Sequence, residues 1–234
     1  MRTPGGIPGG EARKRALALA LIAVLAAIAW QAARLGVADA YARAARAEIE
    51  RMGYRSATQG ELARAIGSVT QSLRYAPHDP FALETLAQLQ LRQMHSATDG
   101  RRAAELARQA YANFRLALAA RPTSALTWAR LALAKLYLAE EDDELLAALR
   151  LSLELGRRDP GVPELASYVG LALWPRLDPE LRQGVVRALG VSAARDAGTA
   201  FEIGKSYGRF DIMCDISSLK ALTGKNCGPV RGPN

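Results

Sequence analysis

Between Ala16 and Ala33 the chain runs eighteen residues without a charge, ALALALIAVLAAIAWQAA, and beyond Arg34 apolar positions return only as stripes among charges. At about 1.5 Å per helical residue this run reaches about 27 Å, close to the ~30 Å hydrocarbon core of a bilayer. Trp30 stands near its far end, where an amphipathic indole suits the headgroup region. The basic cluster Arg13-Lys14-Arg15 precedes the run, so the positive-inside bias keeps the N-terminus cytoplasmic and sends the rest across. A cleaved signal peptide shares this layout, and Ala27-Ile28-Ala29 or Ala38-Asp39-Ala40 would supply its small residues. A buried core helix is the third reading. The length of the run and its continuation to Gly36 favour an anchor, and a core helix would show a polar face. The expected location is the bacterial inner membrane: single-pass, N-terminus cytoplasmic, main domain periplasmic.

Downstream, alanine and leucine recur at helical spacing and no useful run alternates with period two, so the chain is expected to be all-α. Five regions follow: a disordered cytoplasmic tail over 1–15, the anchor over 16–35, a helical stalk over 36–54 stopped by Gly53, a helical domain over 55–224 and a tail over 225–234. Pro/Gly punctuation predicts helices over 59–75, 80–95, 101–120, 124–140, 143–156, 162–173, 179–189, 192–207 and 210–222, with Gly100, Gly190 and Gly208 in connections.

The helices come in pairs with a repeating signature. Ala110-x3-Phe114-x2-Ala117-x4-Pro122 matches the second helix of a tetratricopeptide (TPR) repeat, and Trp128 and Leu131 fall where the next repeat would begin. Alanines spaced by seven let a paired helix approach, and the proline opens the next one because its missing N–H is no loss there. Ala65-x3-Val69-x2-Ser72-x4-Pro77 and Ala148-x3-Ser152-x2-Leu155-x4-Pro160 share the offsets. The prolines lie 45 and 38 residues apart instead of 34, so the reading is an irregular TPR-like α-solenoid behind a single N-terminal transmembrane helix. An irregular helical bundle is the alternative. In the solenoid, Tyr111, Trp128, Arg130, Lys135 and Tyr137 are the candidates to line a partner groove.

The net charge of +8, from 31 basic and 23 acidic residues, alternates along helices in the manner of a solvated surface. Export argues against nucleic acid as a partner and leaves an acidic polymer, such as an anionic glycan or a phospholipid surface, as a weak one. No catalytic constellation emerges. The two histidines, His78 and His95, sit in no metal-ligand spacing, and no Gly-x-Ser-x-Gly is present. Gly198–Ser206 has five residues between its glycines where a phosphate loop needs four. The acidic run Glu140–Glu144 reads as a dipole-favoured helix start before it reads as a calcium site. The expectation is a non-enzyme without cofactor or metal. Cys214 and Cys227, thirteen residues apart, form a candidate disulfide in an oxidising compartment.

The stretches Arg121–Lys135, Glu154-Leu155-Gly156, Val169–Trp174 before Leu177–Leu181, and Tyr207–Asp211 with Cys214 together resemble the VpsP-type polysaccharide biosynthesis proteins. The likeness covers about residues 105–227. It implies a singly anchored helical protein working beside exopolysaccharide synthesis and export components, and supplies a pathway more than a mechanism. The leading expectation is a scaffold that binds such proteins. The runner-up is an assembly factor or chaperone for secretion, pilus or cytochrome biogenesis. A glycan hydrolase or lyase is a third, which would need paired carboxylates across a cleft. Trp174 could stack on a glycan, although its apolar run suits the core better.

Overall fold

The structure is a computed structural model, and it describes residues 9–52, 57–223 and 227. Among the described residues every regular element is helical. The chain divides into two compact units, Met1–Pro77 and His78–Asn234.

The first unit is a helical hairpin, α1 (Gly9–Met52) and α2 (Gln59–Tyr75). The helix α1 starts ahead of the basic cluster, so residues 9–15 of the expected disordered tail are helical, because the chain from Glu11 onward carries no Pro or Gly to break the helix before the apolar run. The rest of that tail, Gly53 and most of the 225–234 tail lie outside the described residues. Among the described residues one helix is long and apolar enough to cross a membrane, and it is α1. Its apolar half is bare on all sides, with Leu17, Ile22, Leu25, Ile28 and Trp30 each 57–67% exposed. Charge then restores a polar face, and a narrow stripe is buried: Ala38, Ala45 and Met52, spaced by seven, with the Glu48 carboxylate beside them. Leu62, Ala65, Val69 and Ser72 are the buried stripe of α2. A reciprocal capping box between Thr58 and Glu61 starts α2. The expected stalk is thus one arm of a folded pair.

The second unit holds α3 (Pro80–His95), α4 (Gly100–Ala120), α5 (Ala125–Tyr137), α6 (Asp143–Leu155), α7 (Val162–Ala172), α8 (Pro179–Arg195), α9 (Ala197–Ser206), α10 (Phe210–Cys214) and α11 (Ser217–Thr223). Aspartates 79, 99, 142, 178 and 196 cap five of these starts, each accepting from a backbone N–H of the first turn. Neighbours in sequence from α3 to α9 pack on one another, and α5 also packs on α7, α6 on α8 and α7 on α9. One continuous core results, with Phe114, Leu131, Leu145, Leu149, Val169, Leu173, Leu189 and Met213 fully buried.

Three boundaries differ from the sequence reading by more than one residue. Gly190 lies inside α8, and the chain breaks at Asp196, whose carboxylate accepts from the Thr199 N–H. The last helix is split at Asp215 and Ile216. The helix α5 stops at Tyr137 because Ala139 adopts φ 54° and the Glu140 N–H turns back to the Lys135 carbonyl.

Candidate interaction site

The second unit carries a cleft of about 380 Å³ between α6 and α8, closed at one end by the start of α7. Its floor is apolar, from Leu153, Val162, Pro163, Leu181, Ala188 and Val191. Two glycines set its shape. A Cβ on Gly184 would come 3.1 Å from Leu153, so the glycine lets α8 lie close to α6. At Gly156 a Cβ would stand 2.6 Å from the Ser152 carbonyl and 2.7 Å from Val162. The rim is charged. Arg150 pairs with Asp178 at 2.6 Å. Arg157, Arg187, Glu154 and Glu180 also line the cleft, and among the described residues none of the four has an ion-pair partner. An apolar floor with a mixed-charge rim suits an amphipathic protein segment better than a small polar substrate.

The five residues expected to line a groove are placed differently. Tyr111 and Lys135 come together: the Lys135 ammonium, 3% exposed, is 5.0 Å from the centre of the Tyr111 ring. It donates to Asp142 and Glu144 at 2.8 Å each and to Glu140 at 3.4 Å, while the Tyr111 hydroxyl donates to Glu144 at 2.7 Å. Burial opposes the charge on Lys135, but these carboxylates hold its pKa above the ordinary lysine value. The Lys135 hydrogen bond lowers Asp142. Burial alone would raise Glu144, and the bonds from Lys135 and Tyr111 outweigh it and bring it down. The acidic run is therefore spent on α5 and, through Glu141 and Arg176, on the turn after α7.

The other three stand apart. Trp128 donates its indole N–H to the Pro122 carbonyl at 2.8 Å, fastening α5 to the turn before it. Arg130 is half-buried, and that burial lowers its pKa against the nearby charges of Glu84 and Asp159. Tyr137 belongs to a polar aromatic row drawn from α3, α5, α7 and the end of α9. His95 meets Tyr137 edge-on with centroids 5.1 Å apart, and Tyr168 meets Tyr207 at 5.4 Å. Burial, with the neighbouring Tyr168, pushes the Tyr137 phenol up to about 12 and raises Tyr207 in the same way. Arg182 and Arg209 both lie over the Trp174 ring, at 5.5 and 4.6 Å, so that ring is already occupied.

Neither the row nor the cleft is evident in sequence, since both join helices that are not consecutive in the chain. Small residues at Gly156 and Gly184 are the only local hint of the cleft. Cys214 is bonded to Cys227, with Cα atoms 5.6 Å apart, tying residue 227 to the end of α10. Comparison with protein-family models, with curated proteins and with solved structures finds no match.

Proposed function

We propose that the chain is a membrane-anchored, TPR-like interaction protein that holds components of exopolysaccharide synthesis or export together at the bacterial inner membrane. The observation that carries the reading is the open α6–α8 cleft, apolar below and charged at its rim, in a chain that also carries a bare apolar helix. The α5-on-α7, α6-on-α8 and α7-on-α9 packing supports the solenoid, because stacked helix pairs meet in that stepwise order. The function rests on binding, with an amphipathic segment of a polymerase, co-polymerase or exporter as occupant. Its apolar side chains would enter over Leu181 and Val191, with acidic and basic flanks at Arg187 and Glu180. The polysaccharide pathway comes from the VpsP-type resemblance.

Photocrosslinking amino acids placed at Arg187 and Val191, with exposed Glu202 on α9 as the control position, test this in cells. Capture of a polysaccharide assembly component from the two cleft positions and not from Glu202 is expected. Capture of secretion, pilus or cytochrome-maturation proteins would replace the pathway, and no capture above the control would remove the cleft from the function.

A further inference from the structure

We infer that the α1–α2 hairpin stands on the bilayer surface, with its Arg34–Tyr75 end seated among phospholipid headgroups. The inference rests on α1 crossing the membrane. Three contacts set the register of the pair. The Arg34 guanidinium donates to the Tyr75 carbonyl at 3.0 Å, the Ser72 hydroxyl to the Ala38 carbonyl at 2.8 Å, and Arg64 to Glu48 at 2.8 Å. Residue numbers rise along α1 as they fall along α2, so the helices are antiparallel. Beyond Arg34, α1 runs about 27 Å further to Met52 at ~1.5 Å per residue. The helix α2 retraces that distance and ends beside the residue that closes the apolar run. The stalk therefore does not carry the chain away from the membrane; it brings it back.

The chemistry of that end matches its depth. Trp30, 67% exposed, lies one turn inside Arg34. Tyr41 and Tyr75, each 37% exposed, stack at 6.2 Å with 12° between their planes. Amphipathic aromatic rings of this kind gather at the membrane–water boundary. Arg34 gives two of its bonds to Gln31 and the Tyr75 carbonyl and keeps further N–H donors for a phosphate oxygen. Arg74, exposed in the last turn of α2, marks the same end without taking part in these bonds to Arg34. A phospholipid phosphate is the group that borders hydrocarbon at the end of a crossing helix, and it is the partner these donors fit.

Spin-labelled amino acids at Val24, Gln59 and Arg74, one per protein, test the placement in full-length chain reconstituted into phosphatidylglycerol–phosphatidylethanolamine vesicles. Accessibility to oxygen against a water-soluble nickel chelate reports depth. The expected result is hydrocarbon depth at 24, headgroup depth at 74 and free water at 59, with Arg34→Gln shifting 74 toward water. If 24 is immersed while 74 is as open to the chelate as 59, the seating is wrong although the anchor stands. If 24 is also in water, the anchor itself fails and the seating with it.

Discussion

Gly170 in α7 faces Val185 in α8 so closely that a Cβ there would stand 2.2 Å from Val185 Cγ2, 2.8 Å from Cγ1 and 3.1 Å from Cβ. Turning the valine about its χ1 cannot clear all three. Gly170→Ala should therefore be net destabilising, since overpacking costs about 1–3 kcal/mol and alanine returns about 1 kcal/mol of helix propensity. Gly204→Ala should cost less, because the obstructing atoms belong to the flexible Met213 side chain. Gly190→Ala, with nothing within 4 Å of its Cβ, should stabilise by up to about 1 kcal/mol. Thermal unfolding of the three variants in detergent, followed by circular dichroism, orders them; Gly170→Ala as stable as Gly190→Ala would refute the close crossing.

Glu84 is buried in α3 and takes a hydrogen bond from the Thr127 hydroxyl of α5 at 2.5 Å, with Arg121 at 3.4 Å. Thr127→Val removes that donor and should cost about 1–3 kcal/mol, the range for a buried acceptor left short of a partner. Thr127→Ser keeps the hydroxyl and should recover most of it. Equal losses from valine and serine would mean that packing, not the hydrogen bond, matters at this position.

The Lys135 cluster makes stability depend on acid. Asp142 and Glu144 are both depressed in the folded chain, so their stabilisation is complete above the ordinary carboxylate range and disappears as pH falls through the folded values. The predicted window is below about pH 4.5, the upper end of the unfolded pKa values. Lys135→Met should flatten that acid limb as well as lower stability near neutrality. A melting temperature that falls with acid as steeply in the variant as in the parent would dismiss the cluster as its source.

Reduction should loosen the C-terminal end. In the chain-entropy account, a bond closing a loop of this length is worth about 3 kcal/mol. Cys214→Ser should lower the melting temperature and speed proteolysis after α11. Reductant should then have no further effect on the variant, whereas it destabilises the parent; an unchanged parent would show the bond to be unimportant.

What could be read from sequence divides along physical lines. The helix starts at Gln59 and Pro80 were placed to the residue, and the chemistry that fixes them is local: the Thr58–Glu61 capping box before α2 and the Asp79 cap before α3. Gly190 misled because a glycine facing open space inside a helix looks the same in sequence as one ending it, and the deciding signal, Asp196 capping Thr199, lay six residues on. The apolar run was legible as a stretch, but the return of α2 to Arg34 was not, because it depends on an arginine side chain meeting a carbonyl 41 residues away. Lys135 looked like a groove cation. Its three carboxylates follow within nine residues, and the left-handed turn at Ala139 folds them back onto it.

The proposed role of the α6–α8 cleft in exopolysaccharide assembly is tested by polymer output. The double variant Arg187→Glu/Val191→Asp changes only the rim and the exposed edge of the floor. Secreted polysaccharide is to be measured in the native host, in a deletion strain complemented with parent or variant at equal membrane abundance. The parent is expected to restore the polymer and the variant to leave it near the deletion level. Full restoration by the variant, or no loss of polymer on deletion, would contradict that role.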